Sequence, residues 1–195
     1  DLQSLHEGGA DSLHMAINLS FRQFQDSRLL STVRRLLERT GIDPHWLEFE
    51  LTETAVMQQP EQVLMTMDGM TGLGLRFSLD DFGTGFSSFV HLHSLPINLL
   101  KIDRGFVKAI AERSADRQLV GAMIEMGHSL GLEVVAEGVE QREQLDILRS
   151  LGCDQVQGFF ISPALPFDEL CYFMDAYQMG RDASPKESGV VRLMS

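Results

Sequence analysis

The chain has 195 residues, of which 44% are hydrophobic and 23% charged, a balance ordinary for one globular domain with a sizeable core. Its formal net charge of −12 argues against bulk binding to a nucleic-acid backbone, where basic patches are expected. No apolar run approaches the roughly 18 residues that span a bilayer, and the first residues lack a secretory pattern, so a cytoplasmic setting without a membrane segment is the expectation.

The chain opens with a β-rich run at residues 13–18 (LHMAIN), and a helix follows over 28–40, stopped by Gly41. A second strand at 46–51 (WLEFEL) leads to a helix over 60–73, with Pro60 suited to its first turn. The third strand, 75–80 (LRFSLD), runs into the loop DFGTGFSS and a short helical stretch. A fourth strand covers 99–103 (LLKID), and the helix over 116–130 closes at Gly131. The fifth strand, 132–136 (LEVVA), precedes a helix over 141–151, a sixth strand at 154–158 (DQVQG) and a last helix over 166–179.

Such alternation predicts an α/β fold with a mostly parallel sheet covered by helices. No glycine-rich phosphate loop follows the first strand, which disfavours a dinucleotide-binding open sheet. The alternative is a (β/α) TIM-like barrel, N-terminally incomplete, with about six of the eight strands a closed barrel needs. Residues 1–180 form that domain in this reading, and the polar residues 181–195 form a disordered tail.

Cys153 and Cys171 build neither a disulfide framework nor a metal-ligand spacing and are read as small buried apolar residues. His91 and His93 are too close for a helix-face metal pair. Phe21, Phe24, Met65, Met67 and Met70 are read as core rather than a partner surface.

The strand ends carry the chemistry. In order they bear Asn18, Glu50, Asp80 with Asp81, Lys101, Glu137 and Gln157. In a parallel barrel these ends converge on the face where barrel active sites lie. A single carboxylate there could be a helix cap, but six consecutive ends with polar groups are hard to dismiss. Carboxylates crowded into a poorly hydrated cavity repel, and divalent cations relieve that repulsion. Hard oxygen ligands suit Mg²⁺ or Mn²⁺. The adjacent aspartates could serve two ions, as in two-metal phosphoryl chemistry. Zinc is disfavoured without converging Cys or His. An enolase-like site, with carboxylates on Mg²⁺ and Lys101 as base, remains open from the strand ends alone.

The loops resemble one family. N-L-S at 18–20, E-L-T-E at 50–53, D-D-F-G-T-G-F-S-S at 80–88, K-I-D at 101–103, A-E-G-V-E at 136–140 and Q-G-F at 157–159 are similar in order and spacing to the motifs of EAL domains. The resemblance implies an eight-stranded barrel that hydrolyses cyclic di-GMP to linear pGpG with two Mg²⁺ or Mn²⁺ ions. It implies that Asn18, Glu50 and Asp80 ligate one metal, with Asp80 reaching toward the second and Asp81 holding it. Glu137 is implied as general base or as a ligand sharing the attacking water. Lys101 is implied to orient that water or offset charge on the phosphate. Gln157, Glu140, Phe82, Gly83 and Thr84 are implied as ligand-binding or supporting contacts, Glu140 against the equal alternative of a solvated residue in a helix's first turn. Glu53 is implied as an anchor of the DFGTGFSS loop, against the equal alternative of a carboxylate at a helix N-terminus. Gly83 and Gly85 fit a loop with unusual backbone angles.

Two departures from the pattern stand out. The family's E-A-L motif and its nearby arginine are absent, and Ser162 precedes Pro163 where many relatives carry Arg. A barrel short of its opening strands exposes sheet edges that pair with other chains, so the expectation is weak turnover and either self-association, with a homodimer as one form, or a partly open barrel. Regulatory domains upstream are a further expectation. The rival function is a catalytically inactive cyclic di-GMP receptor or scaffold, with the enolase-like lyase a distant third.

Overall fold

The computed structural model describes residues 2–7, 13–58, 60–84 and 92–182. The chain runs α1 (Leu2–Glu7), β1 (Met15–Asn18), α2 (Phe21–Phe24), α3 (Leu29–Thr40), β2 (Leu47–Thr52), α4 (Glu53–Gln58), α5 (Pro60–Thr71) and β3 (Arg76–Phe82). It continues β4 (Leu99–Ile102), α6 (Arg104–Val107), α7 (Ser114–Ser129), β5 (Glu133–Ala136), α8 (Arg142–Ser150), β6 (Gln155–Val156) and α9 (Phe167–Asp182).

The six strands form one sheet in chain order, each parallel to the next. Parallel neighbours need a crossover of a dozen or more residues, which the intervening helices supply. The result is a half-barrel with helices outside, an incomplete TIM-like barrel.

Strand alternation decides which side chains meet which side. Phe49, Leu51, Phe77, Leu79, Leu100, Ile102, Val134 and Ala136 are buried under the helices. The opposite set, on the concave side, includes Glu48, Glu50, Ser78 and Lys101, all buried despite their polarity. Two apolar clusters result, one packing β1–β4 against α2, α3 and α5, the other packing β4–β6 against α6, α7 and α8. In α3, Leu29, Leu30, Val33 and Leu37 face the core, and Gly41 ends the helix in a left-handed conformation at φ 67°. In α5, Met67 and Met70 are fully buried while Met65 points outward. Phe24 is buried and Phe21 packs against the same cluster.

Several boundaries differ from the sequence reading. The short helices α1, α2, α4 and α6 were not anticipated; each is four to six residues long, too short for a periodic pattern to register. α2 is instead defined by its cap, in which the Ser20 and Gln23 side chains reciprocate. β6 is two residues rather than five, because the chain turns away at Gly158. The last helix continues to Asp182, two residues past the expected domain end at 180, and the rest of the expected disordered tail lies outside the described residues. So do Gly85 and the stretch that follows it in the DFGTGFSS loop. Cys153 and Cys171 are half-buried rather than buried. The Cys153 thiol donates to the carbonyls of Gln155 (3.2 Å) and Val134 (3.4 Å), and burial pushes its pKa up to about 11. No helix among the described residues is long and apolar enough to cross a membrane.

Candidate active site

Lys101 lies at the centre. It stands on β4, every residue of which is buried, and its ammonium meets carboxylates from three neighbouring strand ends. Nζ lies 3.0 Å from Glu50 Oε1 at β2, 3.1 Å from Asp80 Oδ1 at β3 and 2.6 Å from Glu137 Oε1 just beyond β5. Parallel pairing aligns these ends. The Glu137 amide extends the ladder by donating to Ile102 O at 3.1 Å.

Charge and burial compete here. Burial by itself would lower the Lys101 pKa, but the carboxylates of Glu137, Glu50 and Asp80 outweigh it and hold the group above its ordinary value. Glu137 and Glu50 shift the other way from the usual ion-paired carboxylate: burial raises both, although Lys101 pulls them down. Three carboxylates around one ammonium leave the cavity with excess negative charge.

The two adjacent aspartates reach the site through an irregularity in β3. Leu79 pairs with Leu100 and Phe82 with Ile102, so Asp80 and Asp81 together span the place of Lys101 alone. This is a β-bulge, one extra residue on one strand. In a regular strand, successive side chains point to opposite faces; the bulge releases Asp81 from that rule. Asp81 adopts φ 55°, a left-handed conformation that Asp tolerates better than most residues. Its amide donates to Asp80 Oδ1 at 3.0 Å. Burial, then the charges of Asp80 and Asp103, raise the Asp81 pKa.

Asp80, Asp81 and Glu137 each offer a carboxylate oxygen, and these oxygens all lie within 4.8 Å of one another. Such hard, negatively charged oxygens held this close together fit a divalent cation. Asn18 lies opposite Glu50 in the β1–β2 register and is exposed. Gln157 is half-buried beyond β6, and its backbone N–H donates to Ala136 O at 2.9 Å.

The loop after β3 is fixed by Glu53. This buried residue opens α4, and its Oε2 accepts the Gly83 amide at 3.1 Å. One side chain thus both stands in the first turn of α4 and accepts from the loop after β3. Gly83 has φ 96°, and a Cβ there would come within 2.8 Å of Phe106 and Met123, so both conformation and space call for glycine. Thr84 Oγ1 donates to Asp81 O at 2.8 Å, and Phe82 lies in the apolar cluster below.

The A-E-G-V-E loop has its own support. Val139 N–H donates to Gln157 O at 3.0 Å. A Cβ on Gly158 would fall on the Val139 backbone, which accounts for the glycine after Gln157. Glu140 is exposed, and its amide is held by Gln144, a buried residue that the sequence reading passed over. Its signal was positional: a Gln three residues after Gln141 at the start of a helix is placed to cap it.

Fold and site together define a (β/α)-barrel domain with an acidic, lysine-centred site at the C-terminal ends of its strands. The chain belongs to the EAL domain family, whose model matches residues 1–164. It is 40% identical over 185 residues to the cyclic di-GMP phosphodiesterase NbdA of Pseudomonas aeruginosa, covering 95% of this chain and 23% of NbdA. Among solved structures it resembles the c-di-GMP complex of the PaMucR phosphodiesterase (TM-score 0.83, 38% identity, 87% of this chain and 68% of that one). It also resembles the EAL domain of Mycobacterium smegmatis DcpA (TM-score 0.82, 31% identity, 88% of this chain and 77% of that one). The chain spans about a fifth to a quarter of the length of the curated relatives it matches.

Proposed function

We propose that this domain hydrolyses cyclic di-GMP to linear pGpG, using two Mg²⁺ or Mn²⁺ ions. The observation that carries the reading is the convergence of Asp80, Asp81 and Glu137 within 4.8 Å, with Lys101 2.6 Å from Glu137. The names of the relatives supply the substrate class. A chain of net charge −12 needs added positive charge to hold a dianionic ligand, and the carboxylate set is suited to recruiting it.

Asp81 with Asp80 and Glu137 would hold one ion, and Asn18 and Glu50, with Asp80 shared between the two, would hold the other. When bound, the ions lower the pKa of water and offset charge on the phosphate oxygens. Glu137 takes a proton from the water as its oxygen forms a bond to phosphorus. The bond from that phosphorus to the ribose 3′ oxygen breaks, and the departing oxygen is protonated from solvent. Lys101 holds Glu137, Asp80 and Glu50 in one arrangement and offsets the charge that builds at phosphorus. Gln157, Gly83 and Thr84 support the walls of the site.

The test is product analysis. Cyclic di-GMP incubated with the chain and Mg²⁺ or Mn²⁺ should yield pGpG, and chelation should stop it. Tight binding of cyclic di-GMP with no pGpG under either metal would replace this reading with that of a receptor domain.

A further inference from the structure

We infer that Gln144 is a positioning residue for Glu137, acting through the two loops that carry the centre of the site; the inference rests on the catalytic role proposed above. Gln144 lies on α8, is only 3% exposed, and uses both ends of its amide. Oε1 accepts the amides of Glu140 (2.8 Å) and Gln141 (3.0 Å), and Nε2 donates to Lys108 O (3.3 Å) and Val107 O (3.4 Å). The first pair closes the loop that starts at Glu137. The second pair belongs to the segment following β4, the strand of Lys101.

Glu137 is thereby held from two directions. At the near end, its amide donates to Ile102 O. At the far end, Gln144 fixes Glu140 and Gln141. Between them, a Cβ on Gly138 would lie 2.5 Å from Arg104 Cβ, so the loop after Glu137 packs directly against the segment that follows β4. A loose loop at Glu140 would let Glu137 drift from Lys101, and positional errors of about 1 Å can cost roughly 10²-fold in rate.

The chemistry selects glutamine. Only a side chain that both accepts and donates can serve two N–H groups and two carbonyls at once. Glutamate keeps the acceptor but sets a carboxylate against the carbonyls of Val107 and Lys108. Leucine keeps the bulk and loses all four bonds.

The experiment compares Gln144→Glu and Gln144→Leu with the parent chain, each checked for folding by circular dichroism. Three quantities are read: kcat and KM for cyclic di-GMP with Mg²⁺, Mn²⁺ affinity by electron paramagnetic resonance, and melting temperature. The expected result is a kcat lowered by about 10- to 100-fold with KM within twofold, and a weaker Mn²⁺ site. In a Glu137→Gln background, Gln144→Leu should lower kcat no further, while the melting temperature falls as it does in the parent. Unchanged kcat and Mn²⁺ affinity in either folded variant would overturn the inference. So would a loss of kcat that is fully additive with Glu137→Gln. If the parent itself turns over no cyclic di-GMP, the functional reading fails, and the Mn²⁺ affinities alone decide whether Gln144 positions the site.

Discussion

Glu53 Oε2 accepts the amide of Gly83 at 3.1 Å, joining the head of α4 to the loop that leaves β3. Glu53 is 1% exposed, so its carboxylate has little water to turn to if the loop moves. Asp81 is two residues before Gly83, and its position depends on where that loop begins.

Replacing Glu53 with Ala should therefore lower turnover by about 10- to 100-fold and raise the Mg²⁺ concentration needed for half-maximal rate. Glu53→Gln, which keeps an acceptor, should lose less. Steady-state kinetics across a Mg²⁺ titration measures both, and equal losses in the two variants would remove the anchoring role.

Glu137→Gln should nearly abolish hydrolysis while cyclic di-GMP binding falls far less, because the amide keeps an oxygen ligand and Asn18, Glu50, Asp80 and Asp81 remain. Loss of a general base costs about 10²–10⁴ in rate. Isothermal titration with cyclic di-GMP and a pGpG assay on the same preparation separate the two effects. Turnover within a few-fold of the parent would show that another group takes the proton.

Lys101→Met should destabilise the metal-free chain strongly. Glu50, Asp80 and Glu137 would lose the ammonium that lies within 3.1 Å of each. Breaking a buried ion pair by removing one partner costs about 3–5 kcal/mol. Divalent ions should recover more of that loss in the variant than they add to the parent. Thermal melts with Mg²⁺ and with chelator give the comparison; an identical Mg²⁺-induced shift in both proteins would contradict it.

The raised pKa values of Glu137, Glu50 and Asp81 set a pH dependence. Each lies above its unfolded value, so in the metal-free chain their contribution to stability is full below the unfolded pKa and is lost as pH rises through the folded one. A cation needs the deprotonated forms, so its binding should release protons and weaken on acidification, beginning above the ordinary carboxylate range of about 4. Calorimetric Mn²⁺ titrations at about pH 5.5 and about pH 7.5, in buffers of differing ionisation enthalpy, count those protons. Equal affinity and no buffer dependence at both values would refute the shift.

Much of this site was legible in the chain. Six strands were expected and six are seen in order among the described residues, because each is a short apolar run bounded by turn residues. The polar groups at their ends could be named because strand direction sends them all to one face. The union of Asp80 and Asp81 on that face was not legible: alternation places adjacent residues on opposite sides, and a bulge leaves no composition signal. Gln144 was missed for a different reason. It sits on a helix among polar neighbours, and its burial depends on Val107 and Lys108, which only folding brings near. The half-burial of Cys153 likewise follows from backbone carbonyls contributed by two strands.

The bulge also divides the interests of the sheet from those of the chemistry. A chain lacking Asp81 would set Leu79 opposite Leu100, Asp80 opposite Lys101 and Phe82 opposite Ile102, an even ladder in which Phe82 keeps its apolar berth. No residue there would need φ 55°, a conformation that costs a non-glycine residue about 1–3 kcal/mol. Deletion of Asp81 is thus expected to leave the domain as stable as before or more so, while removing one of three converging carboxylates. At this single insertion, what favours folding and what favours catalysis point in opposite directions, as in other stability–activity trade-offs.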